Sequence, residues 1–158
     1  MISSFSGEYR FLSNFYQAQI VIERRLYPDV EHYFQCCKAT STGDFAWVLD
    51  AVTAAEAKKR GRQIKCHPDW DAWKRQCMLN GVLAKFSQHP DLRDQLAATG
   101  GEVLVEGNTW GDTYWGAVAE GQRGWSLKLL ETTDEEIEPF CGLNYLGRIL
   151  MAVRMVLC

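Results

Sequence analysis

One stretch limits the architecture of this chain more than any other. Behind Pro68, the residues Trp70, Trp73, Cys77, Leu79, Val82, Leu83 and Phe86 recur at roughly helical spacing, the pattern of a helix with one apolar face. Such a helix needs a partner layer, and the rest of the sequence offers mostly further helices. Pro90 starts one that runs through Leu92 and Leu96 to Thr99-Gly100-Gly101, and Leu143 to Leu157 reads as the last, with Leu146, Ile149, Leu150, Val153 and Val156 on its apolar face. Pro28 suits a first helical position, where a missing N–H is tolerated, and Asp29 and Glu31 suit a helix N-terminus. A helix from about Pro28 to Ala39 follows. Thr53-Ala54-Ala55-Glu56 is a capping-box sequence, with Thr53 as N-cap and Glu56 reaching back, and its helix ends near Gly61. Strands are few. Gln19 to Tyr27 reads as a hairpin with Glu23-Arg24-Arg25 at the bend and Leu26-Tyr27 as the return, and Val103-Leu104-Val105 is a short strand. Phe45 to Val52 is a short apolar segment, Ser13-Asn14 a turn, and Glu106 to Gly124 is rich in Gly, Trp and Asp without a clear period. The expectation is an α+β fold, mostly helical, with a small β-hairpin or sheet.

No repeat or linker divides the 158 residues, so residues 1–158 read as a single domain. A chain of this size buries roughly 70% of the surface its unfolded form exposes, and staples are unnecessary. The net charge of −3 supplies no global positive field toward nucleic acid or membrane, so an anionic ligand has to be met by a local cluster. Six cysteines would suffice for a disulfide framework, but such frameworks belong mostly to short secreted chains with poor cores. The N-terminus has no basic segment followed by an apolar run. The apolar run Ile149–Val153 stops at Arg154, far short of the ~20 residues that span a bilayer. Free thiols and a cytoplasmic protein are expected. His32, His67 and His89 lie far apart, Cys66-His67 are too close for joint chelation, and Cys-x-x-Cys is absent. No metal site is expected, and without a Gly-x-Gly-x-x-Gly or P-loop pattern no cofactor is expected either.

Three segments carry chemistry. Lys58-Lys59-Arg60-Gly61-Arg62 is, on its ordinary reading, a set of solvated cations complementing a helix C-terminus; the functional alternative is a phosphate clamp with Arg60 or Arg62 binding bidentately. In Glu31-His-Tyr-Phe-Gln-Cys-Cys-Lys38, a helix turning about 100° per residue brings position 38 back to within roughly 20° of position 31. Glu31 and Lys38 then share a face, with Gln35 between them and Tyr33, Phe34 and Cys37 opposite. A solvated polar stripe is the common meaning of that pattern. A partly desolvated lysine, however, has a lowered pKa and becomes a usable amine nucleophile, and a nearby carboxylate can move protons for it. Asn108-Thr-Trp-Gly-Asp-Thr-Tyr-Trp-Gly116 is either an aromatic loop closing over the core or a platform that stacks a heterocycle beside the Asp112 carboxylate.

Taken in order, these segments resemble the NADAR, or YbiA-like, family. The likeness runs from Phe11-Leu-Ser-Asn-Phe15 through Tyr27-Pro-x-x-Glu31-His32 and Gln35 to Lys38. It continues with Ala57-Lys58-x-x-Gly61-Arg62, Trp70 to Met78, Lys85-Phe86, Leu92 and Thr99-Gly100. It closes with Leu104-x-Glu106, Asp112-x-x-Trp115-Gly116 and Gly142-x-Asn144-x-Leu146-Gly147-Arg148, so that about residues 5–154 are covered. One departure is a longer segment at about 117–141, which includes the acidic Asp134-Glu135-Glu136. The resemblance implies an N-glycosidase, a hydrolase that cleaves the bond between ribose C1′ and a nitrogen. It implies two substrate branches: ribosylamino-pyrimidine phosphates of early riboflavin synthesis, and ADP-ribosyl-guanine in nucleic acid.

On that basis Lys38 is expected to attack C1′ of a ring-opened ribosylamine and form a Schiff base, with Glu31 moving protons and Asp112 positioning a ribose hydroxyl or the water. Trp115 would stack on the base, Lys58 and Arg62 would hold phosphate, and Asn14 and Phe15 would line the ribose pocket. His32 and Asn144 complete the expected substrate-binding set, Asn144 by ordering the closing loop. A carboxylate pair, Glu31 with Asp112 and no imine, is the competing route. The alternative class is a non-catalytic module that binds ADP-ribose or a related nucleotide.

Overall fold

A computed structural model describes residues 1–122 and 140–158; the acidic run Asp134-Glu135-Glu136 lies outside the described residues. A 3-10 helix, Gly7–Leu12, leads into the hairpin β1 (Ile20–Ile22) and β2 (Arg25–Tyr27). Helices α1 (Val30–Cys36), α2 (Thr42–Leu49), α3 (Ala54–Gly61), α4 (Trp70–Gln88) and α5 (Pro90–Ala98) follow. Strands β3 (Gly107–Asn108), β4 (Ala117–Ala119) and β5 (Phe140–Cys141) then form a second sheet, and α6 (Tyr145–Leu157) closes the fold. The α+β expectation holds.

The hairpin turns on two residues rather than three. Glu23 and Arg24 both take positive φ, 51° and 65°, the two-residue turn whose twist suits a hairpin, so Arg25 already pairs with Ile22. In the second sheet β3 runs parallel to β4, and β4 antiparallel to β5. Among the described residues the expected strand at Val103–Val105 is reduced to a single bridge between Leu104 and Ile2, with hydrogen bonds from the Ile2 N–H to the Val103 carbonyl and from the Val105 N–H to the Ile2 carbonyl, both 2.8 Å.

One apolar cluster draws on the 3-10 helix, the hairpin and every helix except α3. Helix α4 lies at its centre, packed on α1, α5 and α6. The buried residues of α4 are Met78, Gly81, Val82, Ala84, Lys85 and Phe86; of the stripe expected from sequence, Val82 and Phe86 lie in the core and Trp70, Cys77 and Leu79 pack against it. Trp73 and Leu83 are 40% and 37% exposed, and Trp73 instead stacks edge-on against His67. Gly81 is needed for the close approach of α1: a Cβ there would lie 2.9 Å from Val30 Cγ1 and 3.0 Å from Tyr33 Cδ1. The apolar segment 45–52 belongs mostly to α2, whose N-cap Ser41 accepts from the Asp44 N–H. Among the described residues no helix is long and apolar enough to cross a membrane. Cys36, Cys37, Cys66, Cys77 and Cys158 are free thiols.

Candidate active site

Helix α1 is buried at all seven of its positions, Phe34 and Tyr33 as well as Glu31 and Gln35. It therefore has no solvated polar stripe; Glu31 and Gln35 share a buried side as expected, and of the residues expected opposite them only Phe34 reaches the same side. Asp29 caps it, accepting from the His32 N–H at 2.9 Å and from His32 Nδ1 at 2.9 Å, while Nε2 of the same ring meets the Ala51 carbonyl at 2.9 Å. Burial alone would lower the His32 pKa, but the Asp29 carboxylate and the Ala51 carbonyl together raise it. With a carboxylate at one nitrogen and a carbonyl at the other, this ring ties the start of α1 to the segment just after α2.

The helix ends at Cys36 rather than Ala39. Lys38 and Ala39 are taken up by the chain ahead of α4: Ala39 bridges Cys66, and the Lys38 carbonyl accepts from the His67 N–H at 2.9 Å. A last tight turn, Lys38 N–H to the Gln35 carbonyl at 3.2 Å, keeps Lys38 on the side of Glu31 and Gln35 all the same.

These three side chains open into a cleft of about 360 Å³ lined also by Asn14, Phe15, Phe34, Lys58, Arg62, Met78, Glu106, Trp110, Asp112 and Trp115. The Glu31 backbone N–H donates to the Asn14 carbonyl at 3.2 Å, which sets the 13–15 turn against α1. Its carboxylate accepts from Gln35 Nε2 at 2.6 Å. Burial raises the Glu31 pKa, against the opposing pull of that amide and of Lys58 and Lys38. Burial lowers the Lys38 pKa, with Glu31 opposing it and Arg62 and Lys58 adding to it. The Lys38 ammonium sits 5.7 Å from the ring centres of both Phe34 and Trp70. The cleft thus holds a carboxyl biased toward its acid form beside an amine biased toward its free base, the two states that proton transfer and nucleophilic attack require.

The opposite wall is the loop between β3 and β4, wound around Asn108. That side chain accepts from the Gly111 and Asp112 N–H groups at 3.0 and 2.9 Å and donates to the Asp112 and Ala117 carbonyls at 2.7 and 3.2 Å. Asp112 Oδ1 in turn accepts from the Tyr114 and Trp115 N–H groups at 3.1 and 2.9 Å, so one oxygen orders the loop while the residue faces the cleft. The Trp115 ring stands edge-on to Phe34, centroids 5.3 Å apart.

Cations close the third side. Thr53 and Glu56 cap α3 largely as the sequence suggests, although Glu56 reaches the Val52 N–H. Lys58 and Arg62 line the cleft, the Lys58 ammonium 5.6 Å from the Phe15 ring centre. Arg60 is not available as a clamp: it donates to the Trp47 carbonyl at 2.6 Å and to Glu56 at 2.5 Å. An adjoining groove of about 760 Å³ adds Arg10 and Lys59 and shares Phe15, Lys58, Arg62, Glu106 and Trp110.

The structure thus gathers Asn14, Phe15, Glu31, Lys38, Lys58, Arg62, Asp112 and Trp115 around one cleft. It leaves out His32, whose ring nitrogens are both engaged within the fold. Asn144 is left out too: its Oδ1 accepts from the Glu106 N–H and its Nδ2 donates to the Leu104 carbonyl, so it orders the cleft wall without reaching the cleft. Sequence reading missed Glu106, Gln35 and Trp110. Gln35 was visible as the residue between Glu31 and Lys38, and Glu106 only as part of the motif Leu104-x-Glu106. Among the described residues no cluster of His, Cys, Asp and Glu has the geometry to hold a metal ion.

Comparison with known proteins gives the chain a family. The NADAR domain family model matches residues 3–158. N-glycosidase Npun_R5314 of Nostoc punctiforme is 36% identical over 151 residues, covering 92% of this chain and 84% of that protein. N-glycosidase YbiA of Escherichia coli K12 is 32% identical over 154 residues, covering 96% and 83%. The NMR structure of the E. coli protein YbiA superposes with a TM-score of 0.76 at 30% identity, over 99% of this chain and 82% of that one. A riboflavin biosynthesis protein of Vibrio vulnificus is 33% identical over 146 residues, which are 91% of this chain and only 34% of that protein. Matched along nearly its whole length by the family model and by relatives named N-glycosidases, the chain belongs to the NADAR family.

Proposed function

We propose that this N-glycosidase, a hydrolase of N-glycosyl bonds, cleaves the ribose C1′–N bond of a phosphorylated N-ribosyl substrate by way of an imine on Lys38. The observation that carries the reading is the placing of Lys38 and Glu31 in one cleft, with Asp112 and an aromatic wall opposite and two cations at the rim. Lys38, its free base favoured by burial, adds to C1′ of the ring-opened ribosylamine. Glu31, its acid form favoured by burial, protonates the departing amine, and water then releases the sugar from Lys38. Splitting one hard step into two easier ones is the gain of the covalent route. Asp112 orients a ribose hydroxyl or the attacking water, Asn14 and Phe15 enclose the ribose, Trp115 stacks on the base, and Lys58 and Arg62 take the phosphate.

Two substrates suit this description: a ribosylamino-pyrimidine phosphate of riboflavin biosynthesis, and ADP-ribosyl-guanine in nucleic acid. The name of the Vibrio relative supports the first. The second draws on the adjoining groove, whose Arg10, Lys59, Phe15 and Trp110 supply cations and rings for a second phosphate and a second base. The test is turnover of ribosylaminouracil phosphate and of an ADP-ribosylated guanosine oligonucleotide in parallel, followed by mass spectrometry, with Lys38→Ala and Lys38→Arg as controls. Cleavage of one substrate assigns the branch. Both variants should lose turnover, since arginine keeps the charge without the nucleophile; wild-type rates in Lys38→Arg would refute the imine. Binding of ADP-ribose without cleavage of either substrate would make the chain a binding module instead.

A further inference from the structure

Glu106 is the acid in the cleft that this reaction leaves unused. Its main chain is fixed on both sides: the N–H donates to Asn144 Oδ1 at 3.0 Å, and the carbonyl accepts from the Ala117 N–H at 3.0 Å. That carbonyl is packed so closely on Gly116 that a Cβ there would lie 2.3 Å away. The side chain lines both the cleft and the adjoining groove, and among the described residues nothing donates a hydrogen bond to its carboxyl. Asp112 of the β3–β4 loop, Glu31 of α1 and Lys58 of α3 line the same cleft and act on it through their charges, and Lys38 and Arg62 line that cleft too. Burial first, then the Asp112 and Glu31 carboxylates, push its pKa up to about 8 against Lys58. With no partner among the described residues, this half-buried carboxyl is left to interact with what enters the cleft or the adjoining groove.

We propose that Glu106 is the catalytic acid that opens the ribose ring, delivering its proton to O4′. The inference rests on the N-glycosidase reading above and supplies the step that must precede attack by Lys38. As the C1′–O4′ bond breaks, its electron pair goes to O4′ with the Glu106 proton, and the lone pair of the glycosidic nitrogen forms C1′=N. Lys38 Nζ adds to C1′, and Glu31 passes a proton from Nζ to the departing nitrogen as the C1′–N bond breaks. Water adds to the Lys38 imine and releases the aldehyde, leaving Nζ as an ammonium. The O4′ hydroxyl then closes on C1′, returning its proton to Glu106, while the former aldehyde oxygen takes the one left on Lys38. One water is consumed, and the free amine and the ribose are released.

The test separates ring opening from amine attack. Glu106→Gln and Glu106→Asp are compared with wild type on whichever of the two substrates the wild type cleaves. They are also compared in reductive trapping of Lys38 with glycolaldehyde phosphate and cyanoborohydride, an aldehyde that has no ring to open. Glu106→Gln should lower kcat about 100-fold or more, the size of a general-acid contribution, and lose the alkaline fall of the pH–rate profile. Trapping by glycolaldehyde phosphate should proceed at the wild-type rate, with Glu106→Asp intermediate in turnover only. A kcat within roughly threefold of wild type, or trapping lost in step with turnover, overturns the assignment while the N-glycosidase reading stands. A wild-type protein inert on both substrates removes that reading and this inference with it.

Discussion

Gly61 is where the architecture and the chemistry of the cleft meet most closely, and Gly61→Ala tests the connection. It is the last residue of α3 and faces α1. A Cβ added there would lie 2.0 Å from Gln35 Oε1, 2.8 Å from Cδ and 3.0 Å from the Gln35 Cβ. Gln35 is 3% exposed, and its Nε2 holds Glu31 at 2.6 Å. Its Oε1 is buried without a hydrogen-bond partner among the described residues. Adding one carbon to a packed contact costs about 1–3 kcal/mol. The helix preference for alanine returns at most about 1 kcal/mol, and less at a terminal position. If the amide is driven off Glu31, a further loss on the order of 1 kcal/mol follows. A net destabilisation of about 2 kcal/mol is expected in urea unfolding at pH 7, with an unchanged m-value. In a Gln35→Ala background the obstacle is gone, so Gly61→Ala should there be neutral or slightly stabilising. The double-mutant cycle should then give a coupling of about 2 kcal/mol. Because the Gln35 amide opposes the rise of the Glu31 pKa, Gly61→Ala should also move the Glu31 titration upward. An unfolding midpoint equal to wild type in the single variant, or the same destabilisation with and without Gln35, would refute this reasoning.

Two other buried groups make predictions about pH. Lys85, 1% exposed, donates to the Phe11 carbonyl and, at 2.9 Å, to the Ser13 carbonyl; Lys85→Met strands both and should cost about 2–4 kcal/mol in thermal or urea unfolding. Burial pushes its pKa from 10.5 down to about 7. The unfolded chain therefore binds more protons between those values, and stability should climb with pH across that window, a slope that Lys85→Met removes. His32 has the opposite sign. Its raised pKa means a contribution fully present below pH 6.5 and lost as pH rises through the folded value. His32→Gln should cost about 2 kcal/mol at pH 5.5, and the gap to wild type should narrow on the alkaline side.

Local rules carried well where the signal is itself local. The capping box at Thr53 and the proline opening α5 are read from a handful of neighbouring residues, and both helices start as expected. The angular argument for Glu31 and Lys38 put both on one side, where they line one cleft although the helix stops short, because the final tight turn preserves the direction of the side chain. What the sequence hid depends on distant partners. Lys85 is buried because two carbonyls of the 11–13 segment wait for it, and no periodicity argument assigns a lysine to a core. Arg60 and Arg62 are equivalent on paper, and only the Trp47 carbonyl and Glu56 separate the anchored one from the one at the cleft. Glu106 owes its position to Asn144, 38 residues away in the chain.

The complete burial of α1 has an evolutionary corollary. A helix with a water-facing side can accumulate change there without touching its working side, but here each of the seven positions from Val30 to Cys36 answers to the packing of its neighbours. Glu31 and Gln35 thus sit where every neighbouring position is constrained by packing. The cleft rim is built differently, from the 13–15 turn, the end of α3 and the loop wound on Asn108, where Phe15, Arg62 and Trp110 are exposed. A change in what is cleaved is therefore most readily built at that rim, away from the packed positions of α1.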